Sequence, residues 1–260
     1  MKLTVLTENC AGAKFGAEHG LSYLIEVEGE KILFDTGHSD LFLRNAELLH
    51  INLETEVDTV VLSHGHWDHG DGLQYLDGKT LITHPASFMK RYRKNDHSNV
   101  GLKLSRDQVE TKFKLITTKD PYYITSSILF LGEIPRMNDY ESKTSTFIDQ
   151  KGKVDDIPDD SGLAIIQDNQ LIIVSGCAHA GICNMISHAC EITGIRKIKA
   201  VLGGFHLKHQ SLQLKKTIQF LKKNEVTHIY PSHCTELPAL SAFFENFGIK
   251  QLKSGMILEF

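Results

Sequence analysis

Short apolar, β-branched runs recur along the chain at residues 3–6, 21–27, 31–34, 59–62, 80–83, 128–131, 163–166, 171–174, 200–202, 228–230 and 256–259, and each predicts a strand. Between them, residues 40–49, 182–193, 211–223 and 237–247 carry apolar positions at helical spacing, with Ser211 and Thr235 placed near helix starts. Glu26-Val27-Glu28-Gly29-Glu30-Lys31 and Gln167-Asp168-Asn169-Gln170 are polar, turn-forming breaks between paired runs, and predict hairpins. Strands therefore come first in pairs and then alternate with helices, an α/β pattern whose two halves rhyme without a sequence repeat. Two stretches lack clear periodicity. One, near 90–115, is expected to be a partly helical insertion, and the other, near 133–158, a long loop of the kind that often carries function.

Composition narrows the picture without redirecting it. With 260 residues, 41% of them hydrophobic, the chain can bury a large core, and with no credible linker it is expected to form a single domain over 1–260. A formal net charge of −4 supplies no basic field, so neither nucleic acid nor an anionic membrane is an expected partner. Five widely spaced cysteines, Cys10, Cys177, Cys183, Cys190 and Cys234, suit a reducing cytoplasm better than a disulfide framework. Polar Thr7-Glu8-Asn9 interrupts the apolar N-terminal run before a signal-peptide core is complete, and no stretch approaches the roughly 20 apolar residues of a membrane span.

The chemistry is concentrated in "SHGHWDHGDG", residues 63–72, where His64, His66, Asp68, His69 and Asp71 crowd one turn directly after a strand. Imidazole is a borderline ligand suited to zinc or iron, and carboxylate adds a hard, anionic oxygen, so this spacing points to a metal site.

His-x-His-x-Asp-His resembles the motif of the metallo-β-lactamase superfamily, which implies a four-layer αβ/βα sandwich with a metal site along one edge of two packed sheets. In that family His64 and His66 would serve one metal and Asp68 and His69 the other. Two divalent ions would polarise the substrate and hold a bridging hydroxide. Zinc is the first choice, with iron, manganese or nickel as alternatives. "YPSHCTE" (230–236) resembles the final ligand motif and implies His233 as a further ligand. In "LIIVSGCAHAGICN" (171–184), Cys177 stands where many members have a bridging Asp, and His179 follows it. His179 is expected to ligate; Cys177 is either a thiolate ligand or a buried structural thiol. No His precedes the strand pair in "IPDDSGLAI" (157–165), so His179 or an aspartate, Asp160 foremost, would take that place.

Further stretches, "ENCAG", "EHGLSYLIE", "ILFDTG", "GEIPR", "SGCAHAGICN" and "GGFHL", resemble one group across nearly the whole chain, the 7,8-dihydropterin-6-methyl-4-(β-D-ribofuranosyl)-aminobenzene-5′-phosphate synthase-like metal-dependent hydrolases. The resemblance implies that Asp35 supports the metal loop through hydrogen bonds. His206, after the Gly pair of "VLGGFHLKH", is expected to bind a substrate anion or donate a proton to a leaving group, with metal ligation as the lesser role. Asp68 is expected to be catalytic as well as a ligand, and Arg136 to bind a phosphate. His19 and His84 are the expected pocket neighbours. The resulting expectation is a dinuclear metal-dependent hydrolase acting on a small anionic molecule, a phosphodiester or phosphorylated pterin, which could assemble as a homo-oligomer. A pterin-linked synthase and a metal-binding sensor without turnover are the alternatives.

Overall fold

In the computed structural model, which describes residues 1–260, strands Ser22–Val27 and Glu30–Phe34 close a two-residue hairpin over Glu28 and Gly29, at φ 52° and 89°. Strands Gly162–Gln167 and Gln170–Ser175 do the same over Asp168 and Asn169, at φ 52° and 56°. Two successive positive φ values are what the tight turn matching the right-handed twist of paired strands demands, which suits Gly29, Asp168 and Asn169, while Glu28 holds the remaining position at φ 52°. Each hairpin belongs to one of two compact units.

The first unit comprises Met1–Thr118, Thr146–Asp155 and Leu252–Phe260. Its seven-stranded sheet runs in the order Ile257–Glu259, Lys2–Thr7, Ser22–Val27, Glu30–Phe34, Thr59–Val61, Thr80–Thr83, Lys114–Thr117. Pairing is antiparallel as far as Glu30–Phe34 and parallel beyond it. Helix Leu41–Leu48 lies in the first crossover, and its Phe42 and Ala46 join Leu33, Val60, Leu81, Val109 and Phe113 in the core. Each of these side chains other than Ala46 contributes about 1.5–3 kcal/mol by leaving water.

The 90–115 stretch is partly helical, as its pattern predicts: Arg106–Lys112 is a helix opened by a capping box between Ser105 and Gln108. Strand Arg91–Arg93 pairs with Phe147–Asp149 from the long loop, and the fully buried Arg91 holds Asp155 at 2.9 Å. These two aperiodic stretches thus order each other.

The second unit comprises Lys119–Ser145 and Asp156–Gln251. Its six-stranded sheet runs in the order His228–Ser232, Ile198–Gly204, Gln170–Ser175, Gly162–Gln167, Ile128–Phe130, Tyr122–Tyr123. The first three strands are parallel, and helices Ile182–Thr193 and Leu212–Lys223 make their crossovers. Helix Leu237–Phe247 follows the last strand, and Met185, Ile186, Leu221 and Phe243 meet Ile173, Val201 and Phe205 in this unit's core. No helix of the chain is long and apolar enough to cross a membrane.

Both units turn the carboxyl ends of parallel strands into loops that hold the chemistry-bearing residues, the usual place for a ligand in α/β sheets. Asp35, His64 and His84 follow Glu30–Phe34, Thr59–Val61 and Thr80–Thr83; Cys177, His206 and His233 follow Gln170–Ser175, Ile198–Gly204 and His228–Ser232. At these ends the backbone is strained: Asp35, Ala178, His206 and His233 all have positive φ, between 50° and 55°. Non-glycine residues held there cost of order 1–3 kcal/mol each, and such strain concentrates at functional sites.

Candidate metal-ligating residues

In the first unit, the fully buried Asp35 organises the His-rich turn. Its Oδ1 accepts the Ser63 N–H at 2.7 Å, and its Oδ2 accepts the Ser63 hydroxyl at 2.7 Å and His69 Nδ1 at 2.7 Å. Because a carboxylate only accepts, His69 donates from Nδ1 and turns its Nε2 away from Asp35. Ser63 spends its one hydroxyl proton on Asp35, so its oxygen, 2.9 Å from His64 Nδ1, accepts from that ring. A neutral His64 therefore has no proton on Nε2, which accepts from His66 Nδ1 at 2.9 Å. Burial, then the neighbouring His69 and His66, holds the His64 imidazole well below its usual pKa, in the neutral form a metal requires. The ring centroids of His66 and His69 lie 4.6 Å and 4.3 Å from that of His64.

Asp68 Oδ2 lies 3.9 Å from His69 Nε2 and 3.1 Å from His19 Nε2. His19, from the loop before the first hairpin, is thus part of this cluster. Phe147 packs on His66 with ring centroids 4.8 Å apart. The last carboxylate of the motif, Asp71, accepts the Lys103 N–H at 2.9 Å and serves the loop instead. His84 accepts the Ala86 N–H at 3.1 Å and caps the turn Pro85–Phe88. The motif's glycines are imposed by packing: a Cβ on Gly65 would meet the Ser87 carbonyl oxygen at 1.8 Å, and one on Gly72 the Thr36 oxygen at 2.2 Å.

In the second unit, the donor atoms of Cys177, His206 and Cys234 lie within 4.8 Å of one another. The His179 ring packs on His206 with centroids 4.4 Å apart, and Cys234 Sγ donates to the Cys177 carbonyl at 3.5 Å. Burial pushes the Cys234 thiol up, but hydrogen bonding with Cys177 and His206 and the charges of His206 and His233 outweigh it and hold the thiol well below its ordinary value. Asp160, also buried, accepts the Ala180 N–H at 2.8 Å and so braces the loop that carries Cys177 and His179. Burial, opposed by the backbone N–H groups of Ala180 and His179, pushes its carboxyl up to about 7.

The loop before Glu141 is fastened to the start of helix Ile182–Thr193. Glu141 accepts the Cys183 and Asn184 N–H groups at 3.0 and 2.9 Å, and Asn184 Oδ1 accepts those of Met137 and Asn138 at 3.0 Å. Arg136 on this loop is exposed, donates to Ser142 at 2.9 Å and to the Asp156 carbonyl, and acts electrostatically on Asp160. Sequence reasoning missed Cys234. It stands beside His233 in a quoted motif, yet nothing in the sequence places it against Cys177, because that approach depends on the strands on which the two loops sit.

The sequence profile of the metallo-β-lactamase superfamily matches residues 15–87, which include the whole His-rich turn. A Methanocaldococcus jannaschii protein named 7,8-dihydropterin-6-methyl-4-(β-D-ribofuranosyl)-aminobenzene-5′-phosphate synthase is 35% identical over 100% of this chain and 97% of its own length. A second protein of that organism, the uncharacterized MJ0448, is 34% identical over 92% of each chain. Among solved structures, Tm1679, described as a metal-dependent hydrolase of the β-lactamase superfamily, superposes with a TM-score of 0.88 at 29% identity, covering 100% of this chain and 99% of the other.

Proposed function

The chain belongs to the metallo-β-lactamase superfamily and has its α/β fold, and on that footing we propose that it is a metal-dependent hydrolase of a small, phosphate-bearing anionic molecule. Above all, the ring orientations of His64 and His69 support this reading: the neutral His64 donates through Nδ1 to the Ser63 hydroxyl and His69 through Nδ1 to the Asp35 carboxylate, so that each would ligate through Nε2. Such an imidazole, with its second nitrogen tied to a carboxylate or hydroxyl, is what a divalent ion of the zinc or iron type selects. His64, His66, Asp68 and His69, with His179 and His233, are proposed as ligands of two divalent ions, zinc foremost and iron, manganese or nickel as alternatives. Bound there, such ions supply Lewis acidity and bring the pKa of a coordinated water towards neutrality.

The protein's own groups then do the rest. Asp35 fixes ring orientation, and Asp68, in reach of both His69 and His19, can hold a proton beside the site. Arg136, steadied through Ser142 and Asp156, keeps guanidinium N–H groups available for a phosphate. The name of the full-length M. jannaschii relative favours a second reading, a synthase that forms a pterin-linked bond.

Purified protein loaded in parallel with zinc, manganese, iron or nickel should hydrolyse a chromogenic phosphodiester, and a chelated control should not. Bound metal without turnover would overturn the hydrolase reading. Product analysis with a phosphorylated pterin would then test the synthase.

A further inference from the structure

Two thiols and an imidazole from three different loops converge in the second unit, and the proposed ligand set leaves all three unused. Cys177 follows Gln170–Ser175, His206 follows Ile198–Gly204, and Cys234 follows His228–Ser232, all at the same ends of adjacent parallel strands. Their donor atoms lie within 4.8 Å of one another, and neither cysteine is in a disulfide. Around a tetrahedral zinc with Zn–S bonds of about 2.3 Å, two sulfurs sit roughly 3.8 Å apart, so a contraction of at most about 1 Å would close the three onto one ion.

Two independent features indicate that this space is built. The Nδ1 atom of His206 is buried without a hydrogen-bond partner, an expensive state that a ligand would relieve. Gly204 leaves the room: a Cβ there would come within 2.6 Å of Cys234 Sγ and 3.1 Å of Cys177 Cα. The surrounding loops are laced together, with Phe205 N–H donating to Thr235 Oγ1 at 3.0 Å and the Ser175 hydroxyl to the Gly204 carbonyl at 3.0 Å.

We propose that Cys177, His206 and Cys234 form a sulfur-rich subsite that binds a thiophilic divalent ion such as zinc or ferrous iron. The inference deepens the metal-dependent reading and rests on it for the presence of a divalent ion. It takes metal ligation as the role of His206 over substrate binding, and the thiolate alternative for Cys177 over the structural thiol. Two thiolates select zinc, cobalt or ferrous iron over manganese and magnesium, which prefer oxygen.

Cobalt titration of the metal-stripped protein tests this directly, with total bound cobalt measured separately by dialysis. The near-ultraviolet absorption of a thiolate–cobalt bond should appear, should lose one of its two sulfur contributions in Cys234→Ser, and should be unchanged in Cys10→Ser. Cobalt bound without that absorption, or an unchanged band in Cys234→Ser, would overturn the subsite and leave the histidine-based centre standing. No cobalt bound at all would overturn both. Should Cys234→Ser fail to fold, iodoacetamide labelling of the wild-type protein decides: zinc should protect Cys234 and a chelator restore its labelling. Equal labelling in both states would refute the subsite.

Discussion

Asp35 satisfies three donors with two oxygens, from a position where its own backbone is at φ 55°. On the proposed reading its effect on metal is indirect, through the orientation of His64 and His69. Asp35→Asn should therefore weaken metal binding by about 10–100-fold, the usual cost of losing a group that orients a ligand, while far-ultraviolet dichroism is retained. Competition against a chromophoric chelator would measure it. His64→Ala and His233→Ala should each lower metal content and remove turnover with the fold kept; full activity in either would dismiss that ligand. Gly65→Ala has a different physical basis, since its methyl would meet the Ser87 carbonyl at 1.8 Å. Forced repacking of this kind costs about 1–3 kcal/mol, readable as a lower denaturation midpoint. At this scale the crowding of His64, His66, Asp68 and His69 was legible because all four lie on one turn. The approach of Cys234 to Cys177 was illegible, because pairing of distant strands creates it.

Among the elements, the hairpins were the easiest to read, since turns at Glu28-Gly29 and Asp168-Asn169 announce their backbone geometry in their residue types. Strands Arg91–Arg93 and Phe147–Asp149 were not legible: each is three residues long and finds its partner far along the chain. Helix Ile182–Thr193, clear from its periodicity, also carries a pH-sensitive contact. His188 Nε2 donates to the Leu131 carbonyl at 3.1 Å, and burial lowers its pKa from the ordinary value of 6.5. The folded state thus prefers the neutral ring, so its stabilising effect is complete above pH 6.5 and is lost as pH falls below it. His188→Gln should flatten the acid side of the stability profile below about pH 6.5 without altering the plateau above pH 7, as followed by urea denaturation.

On the scale of the whole chain, the alternation of apolar runs announced an α/β fold, and the strand ends announced where its chemistry would sit. Which segments belong together was hidden, because the first unit is assembled from Met1–Thr118, Thr146–Asp155 and Leu252–Phe260. Strand Ile257–Glu259 pairs with Lys2–Thr7, residue Lys2 facing Glu259. Lys2–Thr7 is therefore covered by a strand that follows every other strand of both sheets along the chain. Until that pairing closes, Lys2–Thr7 presents an unpaired edge, the feature by which sheets recruit other chains. Contacts between such distant segments also form slowly. A chain lacking Leu252–Phe260 should accumulate as aggregate, measurable by light scattering during refolding, and a synthetic peptide of that sequence added in trans should rescue part of the soluble yield. The outer strand Ile257–Glu259 thus guards the edge of Lys2–Thr7 against pairing with other chains.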